Sequence, residues 1–320
     1  MSRIYEALQK AESERKLERR EPELGVPEQP ASAAMTTAVA DPEDAFATPR
    51  FAETPIVTER YAEPSTRRVD GESLDLSRVP ARPWALSLPQ LPALLDRGPA
   101  VEQFRSLRSR IYELRDISPL KTILVSSGVP QEGKSFVSTN LALSLARHKN
   151  SKVLLIDGDM RRYSLHQILG CESHPGLADY LAGKATAMDV MQRPEVSQTP
   201  ITGATPILPN LTFIAGGNGG DKAADLSGSP RFGELIRLAA PHFDWIIVDS
   251  SPVLPVSDAV NLARWCDGVL LVARGGVTKF PVAQRAQSEL KASNILGFVL
   301  NAVHETPEIG GYYGYDATAQ

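Results

Sequence analysis

Cysteine is nearly missing from this sequence. Cys171 and Cys266 are its two cysteines, with no C-x-x-C pair and no histidine at metal-ligand spacing. A disulfide frame and a zinc site are therefore excluded as organising devices, which suits a reducing compartment. No run of about 18 apolar residues occurs, so no helix is expected to span a bilayer. The charged start MSRIYEALQKAESERKLERR lacks the apolar stretch of a secretion signal. The net charge of -4 leaves no positive excess for coating nucleic acid, so no nucleic-acid partner is expected. Together these absences predict a soluble cytoplasmic chain. Aromatic residues are also few, and their placement is uneven: Tyr312, Tyr313 and Tyr315, three of eight tyrosines, fall in the terminal GGYYGYDATAQ. Rings among glycines at a terminus cannot be buried, so this stretch is either an idle flexible end or something acts on the rings.

What is present divides the chain of 320 residues into four parts. Ile4, Leu8 and Ala11 at helical spacing give an amphipathic helix over 1–20, which either is merely solvated or docks on a partner or a membrane surface. Residues 21–99 hold twelve of the 25 prolines without helical or strand period and read as a disordered linker. Residues 100–305 form the expected domain, and 306–320 a flexible tail. Within the domain, KTILVSS, KVLLID, LTFIAGG, WIIVD, GVLLVAR and ILGFVLNAV read as strands buried on both faces. Helix-length segments at 136–147, 230–240, 257–265 and 281–293 lie between most of them. This alternation predicts an α/β fold with a doubly wound, mostly parallel sheet and ligands at the carboxyl ends of its strands.

Directly after the first strand stands GVPQEGKS, Gly128 to Ser135, a complete G-x-x-x-x-G-K-[ST] phosphate loop in strand–loop–helix context. Main-chain N–H groups curl round a phosphate, the following helix favours negative charge, Lys134 reaches the β and γ oxygens, and Ser135 ligates Mg²⁺. Two more strands end in carboxylates: VLLIDGDMR carries Asp157 and Asp159, and WIIVDSSP carries Asp249. Singly these could be helix caps. On one sheet edge with a phosphate loop they point to a site for nucleotide, Mg²⁺ and proton transfer.

These residues resemble the bacterial protein-tyrosine kinases of capsule and exopolysaccharide synthesis, a branch of the MinD-like P-loop ATPases. The resemblance is carried by SSGVPQEGKS, LLIDGDMRR, IIVDSSPV, the tyrosine cluster and EQFRSLR. It implies ATP and Mg²⁺ as cofactors and catalytic roles for Lys134, Asp157 and Asp159. It further implies nucleotide contacts from Gly128, Gln131, Glu132, Gly133, Lys134, Ser135, Phe136 and Asn301, and metal ligation by Ser135, Asp157 and Asp249. Tyr312, Tyr313 and Tyr315 become autophosphorylation sites, while Glu102, Arg105 and Arg108 fit an E-x-x-R-x-x-R segment at the subunit contacts of a ring. Implied partners are a membrane-spanning polysaccharide co-polymerase or activator, which recruits the chain to the inner face of the cell membrane, and a tyrosine phosphatase. The chain departs from the family pattern at Gln131, commonly glycine, at Ser250 and Ser251 in place of Thr-Pro, and at Tyr163 in place of proline. The alternative is a MinD- or ParA-like ATPase that positions a partner without phosphorylating protein. Those ATPases carry a lysine early in the phosphate loop, where this chain has Val129.

Overall fold

The computed structural model describes residues 74–148, 151–195, 208 and 210–303; the expected N-terminal helix and the tyrosine tail lie outside the described residues. Eight strands form one sheet: β1 (Ala81–Arg82), β2 (Thr122–Ser127), β3 (Val153–Asp157), β4 (Met191–Pro194), β5 (Leu211–Ile214), β6 (Trp245–Asp249), β7 (Gly268–Arg274) and β8 (Ile295–Asn301). Their order is β1-β4-β5-β3-β6-β2-β7-β8, and every pairing is parallel except β4 with β5. All six expected strands are present, and the sheet is doubly wound and mostly parallel as the alternation of elements predicts.

The central strands alternate their apolar side chains between two cores, one on each face of the sheet. Leu124, Leu154, Ile156, Ile246 and Val248 enter one. Ile123, Val125, Val153, Leu155 and Ile247 enter the other. Two-sided burial is why these strands are continuous Val, Ile and Leu runs rather than alternating apolar and polar ones.

Nine α-helices cover the faces: α1 (Pro99–Ile117), α2 (Lys134–Ala146), α3 (Leu165–Leu169), α4 (Leu177–Leu181), α5 (Ala187–Val190), α6 (Ala223–Ser227), α7 (Arg231–Ala239), α8 (Asp258–Ala263) and α9 (Phe280–Glu289) among the described residues. Helix α2 follows the phosphate loop and is buried along almost its whole length. Helix α1 was not among the expected helices, because only Val101, Phe104 and Ile111 are buried in its 19 charge-rich residues. Strands β1 and β4, at one end of the sheet, were also not anticipated: two and four residues are too short to display a period.

The linker expected over 21–99 ends earlier than its composition indicated. Residues 74–98 form a strap of short 3-10 turns, at Leu76–Arg78, Leu88–Gln90 and Pro92–Leu94, laid on the domain. Leu91 is fully buried, and Trp84, Ala93 and Leu94 join it in the core shared with α2. Helix α2 holds the strap by polar contacts: Asn140 accepts from the Ala93 N–H at 3.0 Å and donates to the Gln90 carbonyl at 2.9 Å, and Arg147 donates to the Ala93 carbonyl at 2.8 Å. Prolines here set turns rather than keep the chain open, a distinction that composition does not carry. Leu91→Ala is expected to destabilise the domain by about 2–5 kcal/mol, read by chemical denaturation; an unchanged midpoint would mean that the strap adds nothing to the core.

Candidate active site

The register of the central strands builds the site. Strand β3 pairs with β6 so that Asp157 lies opposite Asp249, and β6 pairs with β2 so that Asp249 lies opposite Val125, three residues before the phosphate loop. Both carboxylates are fully buried. The segment after β6 supports the loop from below, since Val253 N–H donates to the Ser127 carbonyl at 2.9 Å and Leu254 N–H to the Gly128 carbonyl at 3.2 Å.

Within the loop, Glu132 is buried and accepts from the Val129 N–H at 3.0 Å and from the Thr278 hydroxyl. Its side chain thus braces the loop from inside and ties it to the end of β7, so any phosphate contact it makes comes from its main chain. Gln131 has φ of 65° and Gly133 φ of 91°, both in the left-handed region. The family pattern's glycine at position 131 follows from that conformation, which costs an ordinary residue roughly 1–2 kcal/mol. Gly133 is required for a second reason: a Cβ there would overlap the side-chain amide of Asn301. That amide donates to the Glu132 carbonyl at 3.0 Å, which seats Asn301 of β8 against the phosphate loop. Phe136 turns away, packing on Phe104 of α1 with ring centroids 5.7 Å apart.

Lys134 and Ser135 open helix α2 and face the carboxylates. The Lys134 ammonium lies 3.0 Å from Asp159 Oδ2, with 14% and 4% of these side chains exposed. Ser135 Oγ donates to Asp249 Oδ2 at 2.7 Å, while Asp249 Oδ1 is buried with no hydrogen-bond partner. Ser138, one turn along α2, has its hydroxyl on the Ser135 carbonyl at 3.1 Å. Asp157 accepts from two main-chain groups, Asp159 N–H at 3.2 Å and Leu165 N–H at 3.1 Å, so it shapes the loop that presents Asp159.

The electrostatics follow from burial. Loss of water raises Asp157 well above the usual carboxylate range, and the neighbouring charges of Asp249 and Asp159 push the same way; two main-chain hydrogen bonds oppose. Burial raises Asp249 to about 6, against the pull of Lys134 and Ser135. Burial alone would lower Lys134, but the charges of Asp249, Asp159 and Asp157 outweigh it and raise the ammonium, which stays protonated. Hard oxygen donors with one orphaned oxygen fit a Mg²⁺ ion, for which Ser135 and Asp249 are the best-placed ligands. Among the described residues no group of three or more acidic, histidine or cysteine side chains is arranged to hold a metal ion.

Not every expected site residue faces this cleft. Arg108 turns inward, its guanidinium donating to the Ser144 carbonyl at 3.0 Å, so it ties α1 to α2. Glu102 and Arg105 pair with each other at 2.5 Å on the surface of α1. Tyr312, Tyr313 and Tyr315 lie outside the described residues. Thr278 was missed by sequence reading, because no motif marks a residue that acts only through the side chain of another.

No family model matches the chain. It is 31% identical over 216 residues to the tyrosine-protein kinase YwqD of Bacillus subtilis, which covers 67% of this chain and 86% of that protein. The chain belongs to the bacterial tyrosine-protein kinase family. It is 30% identical over 209 residues to the tyrosine-protein kinase ptk of Acinetobacter johnsonii, covering 65% of this chain but 27% of that protein. The chain thus spans little more than a quarter of the length of several relatives it matches. Among solved structures, the kinase domain of the Escherichia coli tyrosine kinase ETK superposes with a TM-score of 0.61 at 30% identity, covering 70% of this chain and 84% of that one. The phosphate loop and the three carboxylates lie in the part of the chain with this family fold.

Because the folded value of Asp249 is raised above its unfolded value, the folded state binds this proton more tightly. Its burden on stability is therefore smallest below about pH 4, grows as pH rises towards 6, and is fully felt above that. Asp249→Asn is expected to melt at a higher temperature than the natural chain at neutral pH without nucleotide, with the gap closing as pH falls to about 4. A lower melting temperature at neutral pH would show that pairing with Lys134 and Ser135 outweighs burial.

Proposed function

We propose that this chain is an ATP-dependent protein-tyrosine kinase that phosphorylates its own C-terminal tyrosine cluster. The observation that carries this reading is the buried set at the strand ends: Lys134 on Asp159, Ser135 on Asp249 with its orphaned oxygen, and Asp157 raised beside them. Gly128 to Ser135 hold the phosphates of ATP, with Asn301 fixing the loop at the nucleotide's edge. Lys134 has three donors, so it can keep Asp159 while donating to a phosphate oxygen. Ser135 and Asp249 would hold Mg²⁺, which when bound would supply positive charge beside the γ-phosphoryl group.

The acceptor is a tyrosine hydroxyl, whose ordinary pKa near 10 makes it a poor nucleophile at neutral pH. Asp157 is suited to take its proton, because burial and the neighbouring carboxylates raise its proton affinity above that of an exposed carboxylate. The phenolic oxygen bonds to the γ-phosphorus, the bond to the β-phosphate oxygen breaks, ADP leaves, and the proton goes to the carboxylate. Asp159 positions Lys134 and orders the loop through its own hydrogen bonds.

Phosphorylation of Tyr312, Tyr313 and Tyr315 adds about 4.5–6 negative charges near Glu305, Glu308 and Asp316. Such charge loosens a ring of subunits assembled through α1, where Glu102 and Arg105 are exposed. A cycle of assembly, autophosphorylation and dephosphorylation by a tyrosine phosphatase then gates capsule or exopolysaccharide polymerisation or export. A membrane-spanning activator recruits the chain to the inner face of the membrane; among the described residues no helix is long and apolar enough to cross one.

Purified protein incubated with Mg-ATP should carry phosphotyrosine detectable by mass spectrometry, and Lys134→Met should reduce it at least about a hundredfold. Replacing Tyr312, Tyr313 and Tyr315 with phenylalanine should remove most of the signal. Undiminished labelling in either variant would overturn the assignment it tests.

A further inference from the structure

A second polar cleft lies far from the phosphate loop, at the β1 edge of the sheet. It has a volume of about 780 Å³, and its walls come from the strap on one side and from the segment between α4 and α5 on the other. Strand β1 stands five positions from β2 in the sheet, roughly 24 Å at the usual spacing, so this cleft is separate from the site described above.

Three cations line it: Arg78, Arg82 and Lys184. Arg82 is paired with Glu172. Arg78 and Lys184 are exposed and form no ion pair among the described residues. The acidic lining residue, Asp189, is committed to its own helix cap, accepting from the Thr186 N–H at 2.9 Å and from the Thr186 hydroxyl at 2.7 Å. Pro80, Pro175 and Met188 add apolar wall between the charges. A small inorganic anion would use the cations and waste the apolar wall. The lining matches a group with a flat apolar body and a doubly charged end, which is the chemistry of phosphotyrosine.

We infer that this cleft binds phosphotyrosine presented by the tail of a second copy of the chain. The inference rests on the kinase reading for the origin of the phosphotyrosine. A second copy is favoured by distance. Strand β8, which leads into the tail, is seven positions from β1, or about 34 Å across the sheet. Tyr312 is nine residues beyond Val303 and reaches at most about 32 Å even when fully extended. Tyr315, twelve residues beyond Val303, reaches at most about 43 Å, which leaves little length for a path that must go round a sheet covered by helices on both faces. Bound tails would link phosphorylated copies through a contact remote from the nucleotide, so phosphorylation would replace one mode of association with another rather than simply abolish it.

The test uses a labelled synthetic peptide of residues 305–320 with phosphate on Tyr312, Tyr313 and Tyr315. It is titrated by fluorescence anisotropy into the phosphatase-treated full chain with the phosphate loop saturated by Mg-ADP. The phosphopeptide should bind, and the unphosphorylated peptide should bind at least about tenfold more weakly. The Arg78→Ala, Lys184→Ala double variant should lower phosphopeptide affinity by at least about tenfold without changing the melting temperature, since both side chains are exposed. The charge-keeping pair Arg78→Lys, Lys184→Arg should retain most of the binding. Equal binding of the two peptides, binding unaffected in the double variant, or full displacement by millimolar inorganic phosphate would overturn the inference, the last by making the cleft a general anion site. Because the peptide is supplied already phosphorylated, the result is independent of catalysis. Phosphotyrosine on the natural chain without peptide binding sinks this inference alone, and binding by a chain that makes no phosphotyrosine sinks only the kinase reading.

Discussion

Three carboxylates and one ammonium share a space that water hardly enters, because the parallel register of β3 and β6 sets Asp157 opposite Asp249. Like charges brought together in a low-dielectric setting raise one another's proton affinity and demand a cation. Lys134 answers part of that demand, and its position at the start of α2 is fixed by the loop that precedes it. The remaining negative charge makes the site receptive to a metal ion without a dedicated metal cage. The Glu132 brace, the close seat of Asn301 and the depth of α2 all hold Lys134 and Ser135 against the strand ends.

The strap shows the same helix serving a second purpose. Asn140 lies midway along α2 and Arg147 just past its end, and they bind main-chain groups of residues 90–93 that have no strand partner. Buried main-chain groups need hydrogen bonds, so an irregular segment can cover a core only where side chains supply them. That requirement explains why the strap crosses α2 at this place.

The central sheet was legible because two-sided burial writes an unbroken apolar run, and each of the six runs became a strand. The phosphate loop was legible because its residue types are dictated by backbone shape and charge. Lys134, Ser135, Asp157, Asp159 and Asp249 were therefore found as a group before any coordinates. The strap was not legible, since the prolines that set its turns also occur in open linkers. Arg108, read from a motif as part of a subunit contact, donates to the Ser144 carbonyl, a bond that depends on α2 lying beside α1. The role of Thr278 depends on β7 ending next to the loop, information that exists only in three dimensions.

The left-handed backbone of Gln131 has a consequence for binding thermodynamics. A side chain at this position limits the backbone states open to the residue, in the unfolded chain and in the folded loop alike, so less conformational entropy is at stake than with glycine. Retaining glutamine rather than glycine there also narrows the range of shapes that the empty loop can sample. The N–H groups of the loop are thereby held closer to a single arrangement, at the expense of backbone strain that the folded domain must carry.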